Sequence, residues 1–227
     1  MTGQAGRAPM ILDPSAPRSI DWTAERIREG GVVSFPTDTV YALAASLAFP
    51  DALERIYDLK GRDEAKPLPV LLSAPARLRD VAAGVDDRLL DLADRFWPGP
   101  LTIVLPARDG LPAAATGRDA AGGRTVAVRV PDHFLAIEVI ERAGGAVGST
   151  SANRSGDPPA RSAAEVLAQL PAGFDILLDG GVAPGGVPST VVEAGPDGVR
   201  VLREGAIARE TLEQAWREIL AGSGQAG

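Results

Sequence analysis

The apolar stretches of this chain are short, and proline or glycine cuts nearly every one of them. Val32-Val33-Ser34-Phe35 stops at Pro36, Leu68 to Leu72 follows Pro67, and Leu101 to Leu105 follows Trp97-Pro98-Gly99-Pro100. Thr125 to Val130, Ala146-Val147-Gly148 and Ile176-Leu177-Leu178 have the same strand character. Val191 to Val192 and Val199 to Leu202 read as a hairpin around Pro196-Asp197-Gly198. Helical patterns lie between these runs. In Pro50 to Leu59, Leu53, Ile56 and Leu59 recur at spacings of three, with Asp51 and Glu54 favouring the N-terminal end. Further helices are expected over Asp21 to Glu29, closed by Gly30-Gly31, and over 75–83, 86–96, Asp132 to Arg142, 161–170 and 207–221. Residues 107–123 and Gly180 to Pro188 show no periodicity and read as loops.

Strands and helices mix without strict alternation, which points to a mixed rather than an all-parallel sheet. A chain of 227 residues with 45% hydrophobic content suits a single α/β domain: a twisted, mostly mixed sheet flanked by helices. We place that domain at 18–221. Residues 1–17, rich in Ala, Gly and Pro, are expected to be a flexible segment, and 222–227 a flexible tail.

Composition removes several classes of function. There is no cysteine, hence no disulfide, thiolate metal site or cysteine nucleophile. No run approaches the roughly eighteen apolar residues of a membrane span. Met1 to Met10 lacks the apolar core of a secretory signal, so the cytoplasm is the default location. A net charge of −7 argues against stable non-specific nucleic-acid binding but says nothing against a local basic pocket for a small anion.

Such a pocket has candidate parts. Lys60 and Arg62 bring two cations to the end of a helix. Gly148-Ser149-Thr150-Ser151-Ala152-Asn153-Arg154-Ser155-Gly156, after a short strand, brings hydroxyls, an amide and exposed backbone N–H groups. Together they could hold a polyphosphate. No G-x-x-x-x-G-K-[ST] loop occurs.

These segments belong to a longer pattern. Phe35-Pro36-Thr37-Asp38-Thr39-Val40-Tyr41-Ala42-Leu43-Ala44, Lys60-Gly61-Arg62, Lys66-Pro67-Leu68 and Phe96-Trp97-Pro98-Gly99-Pro100-Leu101-Thr102 come first. Val126 to Pro131, Ser151 to Gly156, Leu178-Asp179-Gly180-Gly181, Ser189-Thr190-Val191-Val192 and Leu202-Arg203-Glu204-Gly205 follow in order. The sequence resembles the Sua5/YciO/YrdC family, the threonylcarbamoyl-AMP synthases that begin threonylcarbamoyladenosine modification of tRNA. The resemblance covers about 20–207 and is to the short form of the family. It implies a YrdC-like fold with a concave basic cavity. The implied reaction takes ATP, L-threonine and bicarbonate to threonylcarbamoyl-AMP and pyrophosphate, the product passing to a separate tRNA-modifying transferase complex. Mg²⁺ would enter as the ATP complex, without a protein metal site. Two other readings stay open: a nucleotide-binding paralogue with a different carbamoyl donor or acceptor, and a double-stranded RNA-binding module.

Site residues follow from the resemblance. It makes Lys60, Arg62, Ser151 and Asn153 catalytic and places ATP against them and against Lys66, Thr125 and Arg203. It places threonine against Thr39, Arg129, Ser149 and Thr190. Plainer readings stand beside these. A lysine is favourable at a helix C-terminus without any ligand, Ser151 and Asn153 suit a turn, and Lys66 suits the surface. Arg129 ends an apolar run, where a charge needs a partner; a substrate carboxylate or an internal Asp or Glu would serve. His133 reads as a helix cap rather than a base, and Tyr41 and Trp97 as core. The chain departs from the family pattern at Ala42, Leu71 and Pro188, where glycine, histidine and glutamate occur.

Overall fold

The computed structural model describes residues 7–195 and 198–223; Pro196 and Asp197 of the expected hairpin, and residues 1–6 and 224–227 of the expected flexible ends, lie outside it. The elements run β1 (Met10–Leu12), α1 (Ser19–Arg28), β2 (Val33–Pro36), β3 (Tyr41–Ser46), α2 (Pro50–Lys60) and β4 (Val70–Leu72). Then come α3 (Leu78–Val81), α4 (Asp87–Phe96), β5 (Leu101–Pro106), β6 (Gly117–Arg118), β7 (Arg124–Arg129) and α5 (Phe134–Arg142). Last are β8 (Ala146–Ser151), α6 (Ala163–Gln169), β9 (Ile176–Leu178), β10 (Thr190–Gly195), β11 (Gly198–Arg203) and α7 (Arg209–Ser223).

The strands form one mixed sheet in the order β1-β9-β2-β3-β8-β4-β7-β5-β10-β11, with β6 on β7. Parallel pairs (β2 with β9, β4 with β7, β5 with β10) occur beside antiparallel ones (β2 with β3, β3 with β8, β5 with β7). Both faces are covered, and β3 shows how. Tyr41, Leu43 and Ala45 pack with Leu53 and Ile56 of α2 and Val166 of α6. Ala42 and Ala44 point the other way, against Ile27 of α1 and Val139 and Ile140 of α5. A third core, around Leu92, Trp97, Ile103, Val128 and Trp216, joins α4 and α7 to the strands at the far end of the sheet.

Three strands escape the sequence reading. Alanine-rich β3 has weak strand propensity, and burial on both faces decides its conformation instead. β1 lies inside the segment expected to be flexible, where Met10 to Leu12 add to β9 in parallel. β6 is a two-residue annex within the expected loop. β8 also runs past Gly148 to Ser151, which puts Ser149 and Ser151 on a strand rather than in a loop. α5 begins at Phe134 with His133 at its N-cap, yet the histidine side chain makes no capping bond and its buried Nδ1 has no partner. Tyr41 and Trp97 are core residues, as read.

Local chemistry fixes the helix ends. Pro50 opens α2, and Gly61 closes it in the left-handed region at φ 58°, which suits glycine. Asp86 caps α4, its Oδ1 accepting from Leu89 N at 3.0 Å. Asp86→Ala should cost about 1 kcal/mol and lower the melting temperature by about 2–4 °C, read by calorimetry, because that N–H loses its acceptor.

Candidate functional site

The C-terminal ends of β7, β8 and β11 meet around one hollow of about 270 Å³. The turn between β2 and β3 contributes Thr37 and Thr39, β5 contributes Thr102, and Ser189 precedes β10. The lining holds three arginines, Arg62, Arg129 and Arg203, and no carboxylate. A second hollow of about 300 Å³ is lined by Lys60, Arg62, Lys66, Ser151, Asn153, Gly156 and neighbours. Arg62 and Ser151 belong to both. A wider open groove of about 870 Å³ between α4 and α7 shares no residue with either. Its charges are largely matched among themselves, Arg88 with Asp86 and Arg95 with Glu218.

Arg129 is almost fully buried and has a carboxylate partner within the chain. Its Nη2 donates to Asp38 Oδ1 at 2.6 Å, Nη1 to Thr39 Oγ1 at 3.0 Å and Nε to Gly99 O at 2.9 Å. Three of its five N–H groups are therefore committed, and two remain. Burial pulls its pKa down, the Asp38 charge pushes it up, and Arg203 pulls it down again. Of the two partners the sequence left open for Arg129, the internal one exists. Thr39 is similarly engaged. Its hydroxyl accepts from Arg129 and lies 3.0 Å from Thr37 Oγ1, whose own proton goes to Val40 O at 2.7 Å.

Lys60, expected to contact phosphate, is engaged within the chain in this structure. It is 4% exposed, and its ammonium donates to Ser151 O at 2.5 Å, Asn153 O at 2.6 Å and Asn153 Oδ1 at 3.3 Å. A lysine has three donors, so none is left over. Burial brings its pKa down to about 8, with Arg62 adding repulsion. Asn153 is also spent inward: its Nδ2 donates to Arg154 O and Asp157 O, each at 2.8 Å. The Ser151 hydroxyl, by contrast, has no hydrogen-bond partner among the described residues, and Ser151 lies on both hollows.

Arg62 is anchored without being used up. Nε donates to Lys66 O at 3.1 Å and Nη2 to Pro67 O at 3.3 Å. Arg203 is held by one bond, Nη2 to Ser189 O at 2.8 Å. Its pKa is lowered by burial and by Arg62. Lys66 is exposed on the rim of the second hollow, and Ser149 is buried in the lining of the first.

Two expected residues are not in the lining. Thr125 sits at the far end of β7, paired with Pro106 and Gly117. Thr190 is fully buried, and its hydroxyl donates to Ile207 O at 2.7 Å while accepting from Gly205 N and Ile207 N. The neighbouring Ser189 is in the lining, its Oγ 2.8 Å from Thr102 Oγ1. Thr102 in the lining and Asp38 beside Arg129 were not among the expected residues; the uncompensated charge of Arg129 was the available signal for Asp38. The three departures from the family pattern, Ala42, Leu71 and Pro188, all line the first hollow. Among the described residues no group of three or more His, Cys, Asp or Glu is placed to hold a metal ion. None of the described helices is long and apolar enough to cross a membrane.

The structure is thus an α/β protein whose mixed sheet carries a hollow lined by three arginines and no carboxylate, and the sequence relationships are more specific. The profile of the Sua5/YciO/YrdC family, described as "Telomere recombination", matches residues 25–205, and the chain belongs to that family. It is 40% identical over 190 residues to the threonylcarbamoyl-AMP synthase of Bacillus subtilis (strain 168), covering 84% of this chain and 54% of that protein. It is 38% identical over 193 residues to that of Pyrococcus abyssi, covering 85% and 56%. The chain thus spans about half the length of these two relatives. Against the synthase of Alkalilimnicola ehrlichii it is 40% identical over 187 residues, covering 82% and 92%. The fold superposes on P. abyssi Sua5 complexed with L-threonine with a TM-score of 0.83, at 34% identity, covering 92% of this chain and 61% of that one. On E. coli YciO the TM-score is 0.75 at 25% identity, covering 90% and 98%.

The Arg129–Asp38 pair has side chains only 8% and 13% exposed, so removing one partner strands the other. Asp38→Ala should lower stability by about 3–5 kcal/mol in urea denaturation, and adding Arg129→Met should recover part of the loss. An unchanged midpoint for Asp38→Ala would mean that the pair compensates nothing.

Proposed function

We propose that the chain is an L-threonylcarbamoyl-AMP synthase, a nucleotidyltransferase serving tRNA threonylcarbamoyladenosine formation. The observation that carries this reading is the convergence of Arg62, Arg129 and Arg203 on one hollow whose lining has no carboxylate. Such a set is costly until an anion enters, and the proposed substrates are all anionic or carry a carboxylate.

In this reading threonine and bicarbonate condense to a carbamate with loss of water. A carbamate oxygen attacks the α-phosphorus of ATP, and the bond to the β-phosphate oxygen breaks to release pyrophosphate. No side chain need act as nucleophile. The protein's part is placement, charge compensation and exclusion of water from a labile carbamate. Arg62 and Arg203 neutralise the phosphates, with Ser151 donating a hydrogen bond and Lys66 on the rim. The two uncommitted N–H groups of Arg129 take the threonine carboxylate. Ser149 lies beside that subsite, and Thr39 serves it by orienting Arg129. Magnesium arrives with ATP, relying on phosphate oxygens and waters, which agrees with a lining poor in carboxylates.

Incubation with ATP should release pyrophosphate only when L-threonine and bicarbonate are both present. Rapid ATP hydrolysis with neither would rule the reading out. Arg62→Ala should lower kcat/KM by about 10²-fold, the loss of a charge-assisted contact of about 2–3 kcal/mol, with little change in melting temperature.

A further inference from the structure

We propose that Lys60 is a positioning residue: its ammonium clamps residues 151–157 into the shape that offers Ser151 to the nucleotide, and it does not touch phosphate. The proposal rests on the reading of the hollow as a nucleotide site.

The geometry leaves the ammonium no other role. Its three donors meet three oxygens, all from Ser151 and Asn153. The clamp is closed from the main chain as well, Ser155 N donating to Lys60 O at 2.9 Å. Asn153 Nδ2 then folds the following turn back on itself through Arg154 O and Asp157 O. Without the ammonium, two backbone carbonyls and an amide oxygen face one another, and only Ser151 O keeps another donor, Asn153 N at 3.0 Å. Their dipoles repel, and buried acceptors without donors are costly. The turn would open, carrying Ser151 and Gly156 away from the hollow they line. Arg62 cannot substitute, because its anchoring bonds run to Lys66 and Pro67 instead.

A lysine that binds phosphate and a lysine that shapes the loop differ before any nucleotide is added. Hydrogen exchange of the nucleotide-free full chain should show faster exchange across 151–157 in Lys60→Ala and no change there in Arg62→Ala. Free n-propylammonium, which replaces the atoms removed from Lys60→Ala, should restore protection. The ATP KM of Lys60→Ala should rise about tenfold with the threonine KM little changed. Asn153→Ala should raise the ATP KM in the same direction, and the double variant should show less than the product of the two effects, because both act through one clamp. Should Lys60→Ala not fold, Asn153→Ala gives the same exchange readout. Unchanged exchange across 151–157 in the nucleotide-free variants, or KM effects that multiply, would return Lys60 to direct phosphate contact. Failure of the wild type to release pyrophosphate would instead overturn the synthase reading, and the exchange data would still decide the clamp.

Discussion

The buried contact of Arg129 with Asp38 sets the shape on which the site depends. Arg129 ends β7 and Asp38 lies in the turn between β2 and β3, while β8 and β4 stand between β3 and β7 in the sheet. In a flat sheet three strand spacings would separate them by about 14 Å. An arginine side chain cannot span that distance, yet the ion pair closes at 2.6 Å. The turn between β2 and β3 therefore reaches past β8 and β4 to meet β7, and Thr37, Thr39 and Arg129 line the hollow there. Two further bonds tie the same guanidinium to Thr39 and to Gly99, just before β5. One side chain thereby joins three separate stretches of the chain.

The two adjoining hollows gather cations. Burial and the proximity of Arg62 lower the pKa values of Lys60 and Arg203, and Arg203 acts in the same sense on Arg129. Asp38 offsets the charge of Arg129 alone. The remaining unfavourable field is what an incoming polyphosphate relieves, and inside a partly dry hollow the gain exceeds that at an exposed surface. A net charge of −7 on the whole chain is compatible with this, because most acidic residues lie outside the two hollows, as in the groove between α4 and α7.

Much of this was legible in the sequence, for reasons that differ by residue. Helices α2 and α4 announce themselves by apolar spacing, and Gly61 marks the end of α2. Strand β3 was not legible, since Ala42, Ala44 and Ala45 look indifferent until helices press on both faces. The motif order placed Arg62, Arg129, Ser149, Ser151 and Arg203 together, and they do share the first hollow. It could not separate Ser189 from Thr190, because which of two adjacent hydroxyls faces inward depends on where Gly205 and Ile207 return. Nor could it tell a ligand-binding lysine from a clamping one, since both read as a cation beside a loop.

Donor number explains why these cations divide as they do. Lys60 has three N–H groups and gives all three to Ser151 and Asn153. Arg129 gives three of five, Arg62 two and Arg203 one. The free donors thus rise from none to two, three and four in step with exposure. Arginine can be anchored by one edge of its fork and still offer the other to an anion, which a compact ammonium cannot do once its acceptors are filled. Where one residue must be both fixed and available, the chain uses arginine. Where a buried turn needs a single positive centre surrounded by oxygens, it uses lysine. Exchanging the two kinds would fail in opposite ways: a guanidinium at position 60 is too large and planar for three converging oxygens, and an ammonium at position 62 could hold Lys66 O and Pro67 O or an anion, with one donor to spare at most.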